Sequence, residues 1–127
     1  MVLRLPWLFL MVLSFATPVW PGDLSSGPYS LTCQLSRFCS SNGECAGYEN
    51  AVDLDVWSAE TNVASILGGE ILADGIVRIN GGGVEFEGTD DGGTTFILRV
   101  VSSMEVVLLM QYSGGMRDVA TGSCQFN

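Results

Sequence analysis

The four cysteines restrict the chemistry of this chain more than any other residue type. Cys33, Cys39 and Cys45 follow the pattern C-x5-C-x5-C, and Cys124 lies near the C-terminus. Structural zinc sites need closer cysteine pairs, and thiol redox centres need C-x-x-C, so the spacing predicts neither. In an exported chain an even cysteine count predicts two disulfides, for which three pairings exist.

One of the three pairings is favoured by the residues between the cysteines. Asn42-Gly43 is a turn dipeptide midway between Cys39 and Cys45, and a turn there brings these two together. Cys33 is then left for Cys124, in the first and last predicted strands. The chain-entropy model gives about 4–5 kcal/mol for closing the long loop and about 2 kcal/mol for the short one.

Two carboxylate pairs have a spacing that is compatible with catalysis. Asp53 and Asp55 share one strand face, as do Glu85 and Glu87, and residues two apart on a strand are separated by about 6.5–7 Å. Carboxylates at such distances carry out acid/base chemistry in glycosidases, so a carboxylate-dependent hydrolase is one alternative. The same alternation is typical of the solvent face of a half-buried strand, which we favour.

The residue types that are missing exclude several reaction classes. The chain has no histidine and no lysine. Ser-His-Asp and Cys-His catalysis, histidine metal sites and lysine Schiff bases are therefore excluded. We predict no enzymatic activity, no cofactor and no metal site.

A binding role depends on exposed aromatic and loop residues. Tyr29, Tyr48, Trp57 and Tyr112 are aromatic side chains in or next to predicted strands, and Trp57 alternates with the acidic residues of its strand. The Cys39–Cys45 loop would project between two strands. The candidate partner-binding residues are Asn42, Glu44, Tyr48 and Trp57.

The first part of the sequence resembles an export signal. Arg4 precedes the apolar run 5–13, and small residues follow at Ser14 and Ala16. This order predicts a signal peptide at residues 1–16, a flexible lead-in at 17–28 and one β domain at 29–127. The apolar run is too short for a spanning helix, so we expect no membrane span after cleavage, and a periplasmic or secreted location.

The charge balance restricts the partners. Fourteen acidic residues against five arginines give a net charge of −9. Such a chain does not bind nucleic acid by counterion release, whereas it suits a basic protein outside the cytoplasm.

Short alternating segments separated by turn residues predict the fold. The pattern alternates over 29–36, 51–58 and 84–88, the segments 94–101 and 104–112 are long and β-rich, and Asp90-Asp91-Gly92-Gly93 is typical of a hairpin turn. The segment 60–69 fits a strand or a short helix, and we favour a strand. Asp74-Gly75 predicts a turn between 70–73 and 76–80. We therefore predict an all-β protein, a small antiparallel barrel or sandwich of seven to eight strands with two disulfides.

A barrel also offers an interior for a ligand. Leu98, Val100, Val107 and Leu109 are predicted to line it. A small-molecule-binding barrel is therefore a second alternative, and it requires an interior that side chains do not fill.

The motif Y-x-x-x-C at Tyr29–Cys33, with a cysteine near the C-terminus, resembles the periplasmic lysozyme inhibitors of the MliC type. This resemblance implies a small antiparallel barrel with a terminal disulfide. The inhibitory loop of that family contains Ser-Gly followed by a lysine; Ser113-Gly114 is the nearest match, and this chain has no lysine. The segment C-x5-C-x5-C with the terminal G-x-C at Gly122–Cys124 is also similar to short exported bacterial proteins of unknown function. Together, these features lead us to expect a non-catalytic binding or inhibitor module for a basic extracytoplasmic protein.

Overall fold

The computed structural model describes Leu24, residues 28–58 and residues 62–127. This part of the chain contains eight β-strands and no helix. In chain order they are β1 Tyr29–Cys39, β2 Cys45–Ser58, β3 Val63–Gly68, β4 Ile71–Asn80, β5 Gly83–Thr89, β6 Thr95–Val100, β7 Glu105–Gln111 and β8 Arg117–Phe126. The predicted signal peptide at 1–16 lies outside the described residues.

The eight strands form a closed antiparallel barrel in sequence order, β1 to β8, with β8 paired to β1. The predicted all-β class is thereby confirmed, as a barrel. Closure removes the two sheet edges that an open sheet would expose. It depends on a long-range pairing in which Cys33 lies opposite Cys124.

The barrel interior is filled by apolar side chains. Inward and outward positions alternate along the strands, as in β6, where the burial follows Phe96, Leu98 and Val100. Ten of the largest fully buried side chains are Phe86, Leu31, Leu35, Leu54, Ile66, Leu98, Leu108, Val52, Val84 and Val100. These side chains occupy the interior, so the middle of the barrel does not supply the ligand space that a small-molecule carrier needs.

Two predictions about inward and outward positions are wrong for β7. Val107 is exposed and Leu109 is half-buried, whereas Val106, Leu108 and Met110 are buried. The segment is apolar at every position from Val106 to Met110, so its sequence has no polar alternation that distinguishes the two faces. Leu98 and Val100 do face the interior, as predicted.

The predicted turn at Asp74-Gly75 is also wrong, because β4 runs unbroken through it. A Cβ atom at Gly75 would lie 2.0 Å from the carbonyl oxygen of Glu87. The glycine therefore marks a close approach of β4 to β5 rather than a change of direction.

Other local predictions are confirmed. Residues 63–68 of the ambiguous segment form a strand, with Val63 opposite Ile76. The hairpin turn at 90–94 is closed by hydrogen bonds from Asp90 N to Thr94 O and from Gly93 N to Asp90 O. Gly93 has a φ of 89°, which favours glycine at that position.

Both predicted disulfides are present. Cys33 is bonded to Cys124 across β1 and β8, and Cys39 to Cys45 across the β1–β2 hairpin. Cys33 is fully buried, whereas Cys45 is exposed. The first bond therefore lies in the core where the barrel closes, and the second lies on a projecting hairpin.

The up-and-down topology places alternate turns at opposite ends of the barrel. The turns at 40–44, 69–70, 90–94 and 112–116 share one end, which we call the mouth. The chain termini of the barrel and the turns at 81–82 and 101–104 share the other, which we call the terminal end. There Leu24 is buried in the core, and its carbonyl accepts a hydrogen bond from the Tyr29 hydroxyl at 2.9 Å.

Candidate functional site

A cavity of about 440 Å³ lies at the mouth. Its walls include four aromatic residues, Phe38, Tyr48, Phe96 and Tyr112. The acidic residues Glu49, Glu70 and Asp90 also line it. Buried core residues at the mouth ends of their strands, such as Ile71 and Met110, also line the cavity.

A β-bulge explains why Tyr48 and Glu49 both reach this cavity. Leu35 pairs with Asn50, but Arg37 pairs with Gly47, so Tyr48 and Glu49 together lie opposite one residue of β1. In regular alternation neighbouring side chains point to opposite faces of a sheet. Because Tyr48 and Glu49 lie opposite a single residue of β1, the alternation is interrupted and a side chain changes direction. Bulges at barrel rims commonly have this effect.

Aromatic contacts and hydrogen bonds hold the cavity walls. The rings of Phe38 and Tyr48 pack with their centroids 5.2 Å apart. The Asn50 amide donates to the Tyr48 hydroxyl at 3.2 Å. On the other side, the Tyr112 hydroxyl donates to Oδ2 of Asp118 at 2.8 Å. The walls are therefore ordered by contacts between neighbouring strands.

Burial, followed by the hydrogen bond to Asp118, raises the pKa of Tyr112 to about 12. The negative charge of Asp118 raises this pKa further, because it disfavours the negatively charged phenolate. At physiological pH the Tyr112 hydroxyl therefore stays protonated and acts as a hydrogen-bond donor.

Acidic residues outnumber basic ones at the mouth. Arg37 and Arg117 lie at the strand ends of this region. The acidic residues of the same strand ends and turns are Glu44, Glu49, Glu70, Asp90, Asp91 and Asp118. Asp90 is also structural, since its Oδ1 accepts hydrogen bonds from the Gly92 and Thr94 amides at 2.9 Å each.

The predicted partner-binding residues do not all lie together. Tyr48 lines the cavity, and Asn42 and Glu44 lie on the β1–β2 hairpin at the same end. Asn42 is engaged within that hairpin, where its Oδ1 accepts a hydrogen bond from the Glu44 amide at 3.0 Å. Trp57 is exposed on the outer wall, near the terminal end of β2.

The two carboxylate pairs lie on the outer wall of the barrel and not in the mouth cavity. Asp53 and Asp55 accept hydrogen bonds from Thr32 and Ser30 at 2.8 and 2.7 Å. Glu85 and Glu87 form ion pairs with arginines on neighbouring strands. These are Arg78–Glu85 at 3.3 Å, Arg78–Glu87 at 3.2 Å and Arg99–Glu85 at 2.6 Å.

Several cavity residues carried no signal in the sequence. Phe38, Glu49, Glu70 and Phe96 are far apart in the chain and belong to no motif. Phe38, Glu70 and Phe96 lie in or within two residues of a turn that follows an odd-numbered strand, and the bulge of β2 brings Glu49 to the same end. In an up-and-down barrel such turns meet at one end, so correct strand numbering would have brought these residues together.

Among the described residues no helix is long and apolar enough to cross a membrane. No group of three or more cysteine, aspartate and glutamate residues in this part of the chain is placed to hold a metal ion. No family model, no curated protein and no solved structure matches the chain.

Proposed function

We propose that the protein is an exported, non-catalytic binding module whose mouth receives a cationic group of a basic extracytoplasmic protein. The observation that carries this proposal is the cavity of about 440 Å³, which four aromatic and three acidic residues line. A cation against an aromatic face gains about 0.5–2 kcal/mol, more when it is desolvated.

The charge distribution supports the same proposal. The net charge of −9 attracts a basic protein from a distance. The acidic residues of the mouth then favour approach to this end, since complementary charges mainly raise the association rate. Two of the chain's arginines, Arg78 and Arg99, are already paired with glutamates on the outer wall.

Other features agree with a binding module that does no chemistry. The paired carboxylates are held by hydroxyl groups and arginines on the outer wall instead of converging in a cleft. The two disulfides are compatible with an oxidising compartment, periplasmic or extracellular, to which the signal-peptide pattern would direct the chain.

The resemblance to periplasmic lysozyme inhibitors makes a basic lysozyme the first protein to test. Binding should be detectable by calorimetry, and the affinity should fall about tenfold or more between about 0.05 M and 0.3 M salt. An acidic protein of similar size serves as the control. If no basic protein in a panel binds at low salt, the proposal fails.

A small organic cation is the second candidate ligand. The cavity volume lies within the range of small-molecule sites, about 300–1,000 Å³. Because the interior below it is filled, such a ligand would lie at the mouth. Titration with arginine amide and a quaternary ammonium compound distinguishes the two candidates, since only a small-molecule site binds them tightly without a protein attached.

A further inference from the structure

Next to the mouth cavity, β2 has an edge with no partner strand. Residues 45–49 pair with β1 on one side. On the other side β3 begins its pairing with β2 only at Asp53, opposite Leu67. Within the described part of the chain, no strand pairs with this edge. Four of these five residues are exposed and Tyr48 is half-buried.

The register shows which backbone groups face this edge. In an antiparallel pair, hydrogen-bonded and non-hydrogen-bonded residue pairs alternate. The Ser40 amide donates to the Glu44 carbonyl, and the Cα atoms of Cys39 and Cys45 are only 4.0 Å apart, so Cys45 is in a non-hydrogen-bonded pair. Gly47, two residues further, is in the same kind of pair. The N–H and C=O groups of Cys45 and Gly47 therefore point away from β1, toward the free edge.

The free edge and the cavity adjoin each other. Tyr48 and Glu49 belong to both, and Gly69 and Glu70 of the β3–β4 turn also line the cavity. A strand added to this edge would place every second side chain toward the cavity. The edge spans about 15–17 Å, which is long enough for a segment of about five residues.

We propose that the partner binds by adding an extended, basic segment to the edge of β2 at residues 45–49, with one of its cationic side chains in the mouth cavity. The inference rests on the proposed function and specifies how the partner docks. Charge complementarity selects this occupant, because Glu44 and Glu49 lie at the two ends of the edge and Glu70 lines the adjoining cavity. Among the described residues the single cation at this edge is Arg37, which lies opposite Gly47. The same carboxylates oppose edge-to-edge pairing of two copies of this chain, which would bring like charges together.

Gly47 provides a matched pair of variants. A Cβ atom there has no neighbour within 4 Å, so Gly47→Ala leaves the edge intact. Gly47→Pro removes the N–H that faces the edge, and proline is tolerated where a strand edge faces solvent. Disulfide mapping and circular dichroism show whether each variant folds.

The probe is a peptide of about seven residues that alternates arginine and valine. We expect Gly47→Pro to weaken its binding about tenfold or more relative to Gly47→Ala. Two analogues of the peptide, N-methylated on the arginine amides or on the valine amides, test the same point with the unchanged protein. Strand addition requires one analogue to lose binding about tenfold or more and the other to keep it, since only one edge of the peptide faces β2. Backbone amide exchange at residues 45–49 should also slow in the complex.

Equal binding of both analogues, with no slowing of exchange at residues 45–49, would overturn strand addition. If the peptides then still bind with strong salt dependence, the cationic mouth stands and only the docking mode is wrong. Association of the free protein into dimers that Gly47→Pro abolishes would also overturn the proposal, in favour of a second copy at this edge. If neither the peptides nor any basic protein binds, the proposed function itself fails.

Discussion

The contact between Tyr112 and Asp118 joins the ends of β7 and β8 at the mouth. The phenol donates to the carboxylate at 2.8 Å, and the pKa of Tyr112 rises from its ordinary value of 10.0 to about 12. Partial burial is the first cause, and the hydrogen bond is the second. The folded protein therefore holds this proton more tightly than the unfolded chain does.

This difference predicts a loss of stability at alkaline pH. Below the unfolded pKa of 10.0 the phenol is protonated in both states, so the stabilisation is fully present. As the pH rises toward the folded value of about 12, the unfolded chain loses the proton first and the free energy of unfolding falls. Urea unfolding between about pH 9 and pH 11 should show a steeper fall for the natural chain than for Tyr112→Phe. The two proteins differ only at Tyr112, so parallel curves would contradict the assignment.

At the scale of the elements, the two disulfides have different tasks. Cys33–Cys124 joins the first and last strands over a sequence separation of 91 and is buried. Cys39–Cys45 closes a separation of 6 on an exposed hairpin. The long bond thus supports barrel closure, and the short bond orders the hairpin that carries the free edge of β2.

Removing each bond should separate these tasks. Replacing Cys39 and Cys45 by serine should lower the free energy of unfolding by about 2 kcal/mol and leave the barrel folded. Replacing Cys33 and Cys124 by alanine should cost about 4–5 kcal/mol, which is most of the free energy of unfolding of a domain at the low end of the usual range of about 5–15 kcal/mol. Chemical unfolding of the two double variants measures both costs. A larger cost for the exposed bond would contradict this division.

The elements also show how far the sequence predicts the structure. The class and the turn at 90–94 follow from local patterns. The disulfide pairing follows from the Asn42-Gly43 turn, which joins Cys39 to Cys45 and leaves Cys33 for Cys124. The turn predicted at Gly75 is wrong because glycine is common both in turns and where two strands approach closely. Only the position of Glu87, on the neighbouring strand, shows that Gly75 marks a close approach. The inward and outward positions of β7 are predicted wrongly because its run of apolar residues has no alternation of polar and apolar side chains.

At the scale of the whole molecule, the candidate site is made by topology. Phe38, Glu70 and Phe96 lie on different strands and meet because alternate turns share one end of a closed barrel. Placing these residues at one end requires the correct strand numbering, and the turn predicted at Asp74-Gly75 divides β4 in two and shifts the numbering of every later strand. Of the residues that line the cavity, only Tyr48 is among the partner-binding residues predicted from the sequence.

The most direct test of the account compares two variants of equal net charge, Glu70→Gln at the mouth and Glu105→Gln at the terminal end. Both residues are exposed, and Glu70 lines the cavity whereas Glu105 begins β7 at the opposite end. The measurement is the equilibrium affinity of each variant for a basic protein that binds the natural chain. We predict that Glu70→Gln weakens binding about threefold or more and that Glu105→Gln leaves it nearly unchanged. Equal effects of the two substitutions would show that net charge alone attracts the partner, and would contradict a binding site at the mouth.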